Sequence, residues 1–180
     1  MNNINELDAK IQKFIWSFKV YDNIKYNFNI LSTLYECKNS NASSRGKYYF
    51  NKPLIIIHVS IIEALLHDFY IRLSQSTNHF PSSIPLDKRK VMQSKFKTKN
   101  MSMDQLVKCF YEYELLGGKS SVIYPALKSL NYLRNRVHIL NWFANFERDE
   151  IRVFTNSRLV ATEKITSYIV NYISKNYSRP

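Results

Sequence analysis

Residues 53–73 read PLIIIHVSIIEALLHDFYIRL. Drawn as a helix, this stretch carries apolar side chains on nearly every side: Leu54, Ile55, Ile56, Val59, Ile61, Ile62, Leu65, Leu66, Phe69, Ile71 and Leu73. A helix apolar all round belongs at the centre of a bundle or inside a membrane. His58, Glu63, His67, Asp68 and Arg72 interrupt the run, and so many ionisable groups argue against a membrane span. The stretch therefore reads as the most buried helix of an all-α domain. Pro53 suits its first turn, and the helix continues to about Ser74.

The flanking sequence supplies helices to pack against it. From Leu7 to Glu36, the residues Leu7, Ile11, Phe14, Phe18, Tyr21, Phe28, Leu31 and Tyr35 recur at steps of three and four, which predicts one long amphipathic helix. Asn39 to Arg45 is rich in Asn and Ser and reads as a loop. Residues 75–102 form a basic, irregular or partly helical segment broken by Pro81 and Pro85. A short helix follows from Met103 to Leu116, ended by Gly117 and Gly118. Another runs from Val122 to Leu140, with Ser121 as its cap. Glu150 to Thr155 alternates like a short strand or hairpin, with Asn156 in the turn, and Thr162 reads as the N-cap of a last helix. The expectation is one domain over residues 1–180: an up-and-down bundle of four to five helices, with room for one short hairpin before the last.

Composition agrees. The 180 residues include 3 Gly and 5 Pro, few for a fold made of strands and tight turns. No glycine-rich phosphate loop is present, which argues against Rossmann and P-loop enzymes. Lys and Arg number 26 against 14 Asp and Glu, for a net charge of +12. Such a cation points to a polyanion, or to a solvated surface rich in lysine. Cys37 and Cys109 sit in unrelated contexts and suggest neither a zinc site nor a disulfide framework. The polar start, Met1 to Glu6, has no signal-peptide core. The expected setting is a reducing cytoplasm, with no membrane partner, metal or cofactor.

The stretch with chemistry is residues 130–140, LNYLRNRVHIL. Leu130, Leu133, Val137 and Leu140 form the packing stripe, and Arg134 and His138, four apart, share another face. A guanidinium holds a phosphate by a two-pronged hydrogen bond, and an imidazole moves protons near neutral pH. RNA carries its own nucleophile, the 2′-OH, so these groups suffice for cleavage without metal. Spacing alone equally describes a surface arginine in an ion pair and a histidine near a helix end.

The sequence LRNRVHI, late in a basic, helical chain, resembles the motif of the HEPN superfamily of helical-bundle ribonucleases and nucleic-acid-binding domains. That family carries an arginine, often followed by asparagine, with a histidine a few residues later. The resemblance extends to helix order over most of the chain, although its specific part is about seven residues. Three residues separate Arg134 from His138, against four to six in the commonest family pattern, and Leu140 stands where some catalytic members carry a polar aromatic residue. The resemblance implies a homodimer whose motif helices face each other across a composite cleft. It also implies a metal-independent endoribonuclease of a toxin–antitoxin or antiphage defence system, with an antitoxin or defence protein as partner. In this reading Arg134 binds the scissile phosphate, His138 is the general acid or base, and Asn135 orients one of them. The alternative is a noncatalytic HEPN-like module that binds RNA, a nucleotide or a protein.

Other residues have two readings each. Arg136 is a second phosphate contact or an ordinary solvated arginine. Lys88, Arg89 and Lys90, in the basic segment, form a phosphate-contacting arm or a solvated loop. Arg45 and Lys47, beside Tyr48 and Tyr49, can hold a phosphate while a tyrosine stacks a base; such aromatics are more often plain packing. Glu63, an acid in an apolar helix, needs a partner or partial exposure. Arg134 or Arg136 can supply the partner and so support the motif.

Overall fold

The computed structural model describes residues 4–80, 84–96, 101–136 and 150–177. Among these, regular structure is helical, with no β-strand. The elements are α1 (Ile4–Gln12), α2 (Phe18–Ser40), α3 (Ser44–Tyr49), α4 (Asn51–Gln75), α5 (Leu86–Lys95), α6 (Met103–Glu112), α7 (Ile123–Asn135), α8 (Glu150–Val153) and α9 (Asn156–Asn176). A 3-10 turn, Thr77–His79, joins α4 to α5. The molecule is a helical bundle divided into more segments than the four to five the hydrophobic pattern suggests.

α4 is the hub. It packs against α2, α9, α7, α6, α5 and α3. Leu54, Ile55, Val59, Ile62, Leu65, Leu66 and Leu73 are fully buried, each removing apolar surface worth roughly 1.5–3 kcal/mol from water. The helical stretch Ser44–Gln75 is long and apolar enough to cross a membrane by length and composition, but most of it is buried inside this protein.

Two charged side chains of α4 organise the chain ends around it. Asp68 accepts hydrogen bonds from the backbone N–H groups of Trp16 (2.7 Å) and Ser17 (2.9 Å). Arg72, fully buried, donates to the carbonyls of Phe14 (2.8 Å) and Tyr177 (2.6 Å). These contacts explain why the expected helix Leu7–Glu36 is two helices. The chain turns after Gln12, buries Phe14 and Ile15, and restarts at Phe18, with the Ser17 hydroxyl accepting from Val20 N–H. Phe18, expected on the apolar face, stands 79% exposed at that start.

Other boundaries differ for local reasons. Arg45 to Tyr49 belong to the helical turn α3, capped by Ser43 on Gly46 N–H, and not to a loop. Within 75–102 the chain forms α5, so this segment is partly helical. Ser102 and Gln105 make a reciprocal capping box at the start of α6. Between α6 and α7, Gly117 adopts φ +108°, a conformation that strains any side chain. The strand expected over Glu150 to Thr155 is instead the single turn α8, followed by Thr155, which caps α9 by accepting from Arg158 N–H (3.3 Å). Asn156 is the first residue of α9, and Thr162 lies buried within it, donating to the Arg158 carbonyl (2.8 Å). A six-residue alternation is too short to outweigh a good cap.

Candidate functional site

Arg134 lies in the last turn of α7, which packs on α4, α6 and α9 and buries Leu127, Leu130 and Leu133. Its Nε is 2.9 Å from Glu63 Oε2. The carboxylate therefore sits at the inner nitrogen of the guanidinium. The arginine side chain remains 43% exposed and Glu63 23%. The pair sits where a guanidinium is both tethered and open to a ligand.

Asn135 is exposed beside it. Arg136 is not an ordinary solvated arginine: it is the C-cap of α7 and is 7% exposed. Its Nη1 donates to the Tyr132 hydroxyl (2.9 Å), and its guanidinium lies 5.7 Å from that ring's centroid. Among the described residues α7 ends at Asn135, and the expected continuation to Leu140 lies beyond them. Residues 137–149, His138 among them, lie outside the described residues.

Around Glu63 the half-exposed stripe of α4 carries Ile56, Ser60, Ala64, His67 and Ile71. His67 stands one turn beyond Glu63 on the same face, an imidazole near the motif that sequence spacing alone left without a role.

The other basic candidates stand on separate elements. Lys88 and Lys90 are exposed on α5. Arg89 turns inward and donates to the carbonyls of Ile84 (2.7 Å) and Thr77 (3.4 Å), so it braces this segment onto the 3-10 turn. Arg45 is exposed on α3. Lys47 and Tyr48 line a cleft of about 260 Å³ with Lys38, Ser44, Asn51 and Asn156. Lys38 Nζ donates to Asn51 Oδ1 and to Asn156 Oδ1 (2.9 Å), and partial burial lowers its pKa from the ordinary value.

A buried polar chain joins α2, α4 and α9. His58 Nε2 lies 3.0 Å from the Tyr35 hydroxyl, and its Nδ1 lies 3.1 Å from Thr166 Oγ1. Tyr35 donates its proton to Glu163 and Thr166 donates its own to the Thr162 carbonyl (3.0 Å), so each ring nitrogen faces a hydroxyl oxygen that can accept, and the neutral ring donates to one of the two at a time. Burial drives the His58 pKa down to about 4, so the ring is neutral at pH 7. Burial, reinforced by Glu163, raises the Tyr35 pKa. The arrangement is a structural brace, buried at His58 and Thr166 and partly exposed at Glu163.

Among the described residues, no group of three His, Cys, Asp or Glu side chains is placed to hold a metal ion. Cys37 and Cys109 are unpaired thiols. Comparison with protein-family models, characterised proteins and solved structures finds no match.

Proposed function

We propose that this protein binds RNA and cleaves it without metal, as a HEPN-like endoribonuclease of toxin–antitoxin or antiphage type. The observation that carries the reading is the posture of Arg134. An acid from the central helix sits at its Nε while the arginine side chain stays 43% exposed, within reach of a phosphate. In the proposed reaction, His138 takes the 2′ proton, the 2′ oxygen attacks phosphorus, and the bond to the 5′ oxygen breaks as that oxygen takes a proton from the protonated His138 of the second copy. The products are a 2′,3′-cyclic phosphate and a 5′-OH. Arg134 balances the charge of the phosphorane, with Asn135 beside it. The partly exposed apolar residues Ile56, Ala64 and Ile71, on the Glu63 face of α4, suit burial against a second copy, as a composite site requires.

A second reading draws on the motif spacing. Three residues separate Arg134 from His138, against four to six in the commonest pattern of the family it resembles. This favours a noncatalytic module that binds RNA, a nucleotide or a protein partner.

Total RNA incubated with purified protein in EDTA separates the two. Cleavage by wild type giving 2′,3′-cyclic ends, abolished in His138→Ala and Arg134→Ala, supports the enzyme. Equal cleavage by His138→Ala refutes the mechanism. RNA binding without cleavage, unchanged in His138→Ala, selects the second reading.

A further inference from the structure

We propose that the cleft between α6 and α7 is a nucleotide-binding subsite for single-stranded nucleic acid, separate from the Arg134 position. The proposal rests on the RNA-binding reading above, but not on cleavage.

The cleft has a volume of about 560 Å³ and is lined by Lys108, Tyr111, Lys119, Tyr124, Pro125 and Lys128, with Asp104 at the rim. That volume falls in the range of small-ligand sites and accommodates a base and its sugar. One wall is rigid. The Tyr124 hydroxyl donates to the Gly117 carbonyl (2.8 Å) and accepts from Leu116 N–H (3.2 Å), so the ring is locked into the α6–α7 turn. Tyr111 meets that ring edge-on, with centroids 5.3 Å apart, and remains 42% exposed. An aromatic held by another aromatic, with part of its surface in solvent, is a platform for stacking a base.

The rim supplies the complementary charge. Lys108 comes from α6, Lys119 from the turn and Lys128 from α7, and all three are exposed. No hydrogen bond or ion pair engages any of them among the described residues. Three ammonium groups meet one carboxylate at this opening, and an anion relieves their mutual repulsion. A purely apolar ligand leaves the lysines unused, and a simple inorganic anion leaves the tyrosine face unused. A nucleotide unit uses both.

The cleft is not an extension of the motif. Pro125 and Arg134 are nine residues apart on α7, which places them on roughly opposite sides of the helix. The subsite therefore holds a flanking nucleotide and takes no part in bond breaking.

The test uses the full-length protein and a ten-nucleotide oligodeoxyadenylate with a 5′-fluorescein label, read by fluorescence anisotropy across a salt series. The probe lacks 2′-OH groups, so cleavage cannot intervene. Tyr111→Ala should weaken binding about tenfold with little change in salt dependence. Lys108→Gln combined with Lys128→Gln should reduce the slope of log affinity against log salt by about 1.4. Circular dichroism confirms that each variant is folded, and a variant that fails is replaced by Tyr111→Leu or by Lys119→Gln. No binding by wild type, or wild-type affinity and slope in all these variants, overturns the proposal. Equal competition by polyglutamate, insensitive to Tyr111→Ala, also overturns it in favour of an acidic protein partner. If only Arg134→Ala weakens binding, the subsite is wrong and the RNA reading stands. If the cleft variants weaken binding while wild type cuts no RNA, the subsite stands and the nuclease reading fails.

Discussion

Arg134 is held by Glu63, Nε to Oε2 at 2.9 Å, across the packing of α7 on the central helix. Both side chains keep some exposure, so water screens the pair and its worth to stability is small. A double-mutant cycle with Glu63→Gln and Arg134→Gln should give a coupling energy of about 0.5–1 kcal/mol in urea denaturation. Under the proposed function the larger effect falls on activity. Glu63→Gln should slow RNA cleavage by about tenfold, because a loosely held guanidinium meets the phosphate less often in a productive position. Glu63→Asp, which keeps the carboxylate, should recover part of the rate. No coupling in the cycle would remove Glu63 as a positioning residue.

His58 makes stability depend on pH. Its folded pKa, near 4, lies below the ordinary histidine value of about 6.5, so the unfolded chain binds the extra proton between those limits. Stability is therefore intact above about pH 6.5 and falls as pH drops toward 4. The loss attributable to His58 should reach about 2 kcal/mol at pH 5. Urea midpoints of wild type and His58→Gln at pH 7 and pH 5 measure it. The variant starts lower at pH 7, having lost the Tyr35 and Thr166 contacts, and should lose less than wild type on acidification. Parallel losses would show that the ring is protonated in the folded state.

How much of this was legible follows from how local each signal is. The span of α4, expected from Pro53 to Ser74 and found from Asn51 to Gln75, was readable because an apolar run of that length has few alternatives. The break between α1 and α2 was hidden: the apolar spacing continues through Phe14 and Phe18, and the groups that pin the turn, Asp68 and Arg72, belong to a distant helix. Glu63 drew notice because an acid in an apolar helix needs a partner, yet spacing left Arg134 and Arg136 equal. Packing separates them, since Arg136 turns onto Tyr132 instead. The α6–α7 cleft had no periodic signature at all. Lys108, Lys119 and Lys128 meet only because the Gly117 turn folds one helix back on the next.

Arg72 tests the brace around α4. Its planar fork reaches two carbonyls at once, those of Phe14 and Tyr177. A lysine ammonium on a flexible stem cannot reproduce that span. Arg72→Lys should cost about 2–3 kcal/mol in urea denaturation, because buried carbonyls lose their donor. The exposed lysines of the surface are untouched, so nucleic-acid affinity of the folded variant should stay at the wild-type level. A loss below about 0.5 kcal/mol would mean that water or neighbouring groups satisfy the two carbonyls.

Arg134 and Arg136, two residues apart, should separate cleanly in salt-dependent binding. Arg134 stays 43% exposed, whereas Arg136 is buried against Tyr132. A guanidinium that contacts a phosphate of single-stranded RNA releases counterions, and its removal lowers the slope of log affinity against log salt by about 0.7. Arg134→Gln should show that loss with a melting temperature only about 1–4 °C lower, the share of the Glu63 pair. Arg136→Gln should show the reverse: an unchanged slope, and a lower melting temperature because a buried cation–π and hydrogen-bond partner is gone. Anisotropy titrations from low to moderate salt, paired with thermal melts, measure both quantities. A slope change in Arg136→Gln equal to that in Arg134→Gln would place Arg136 back among the phosphate contacts, its contact with Tyr132 being exchanged for the RNA on binding.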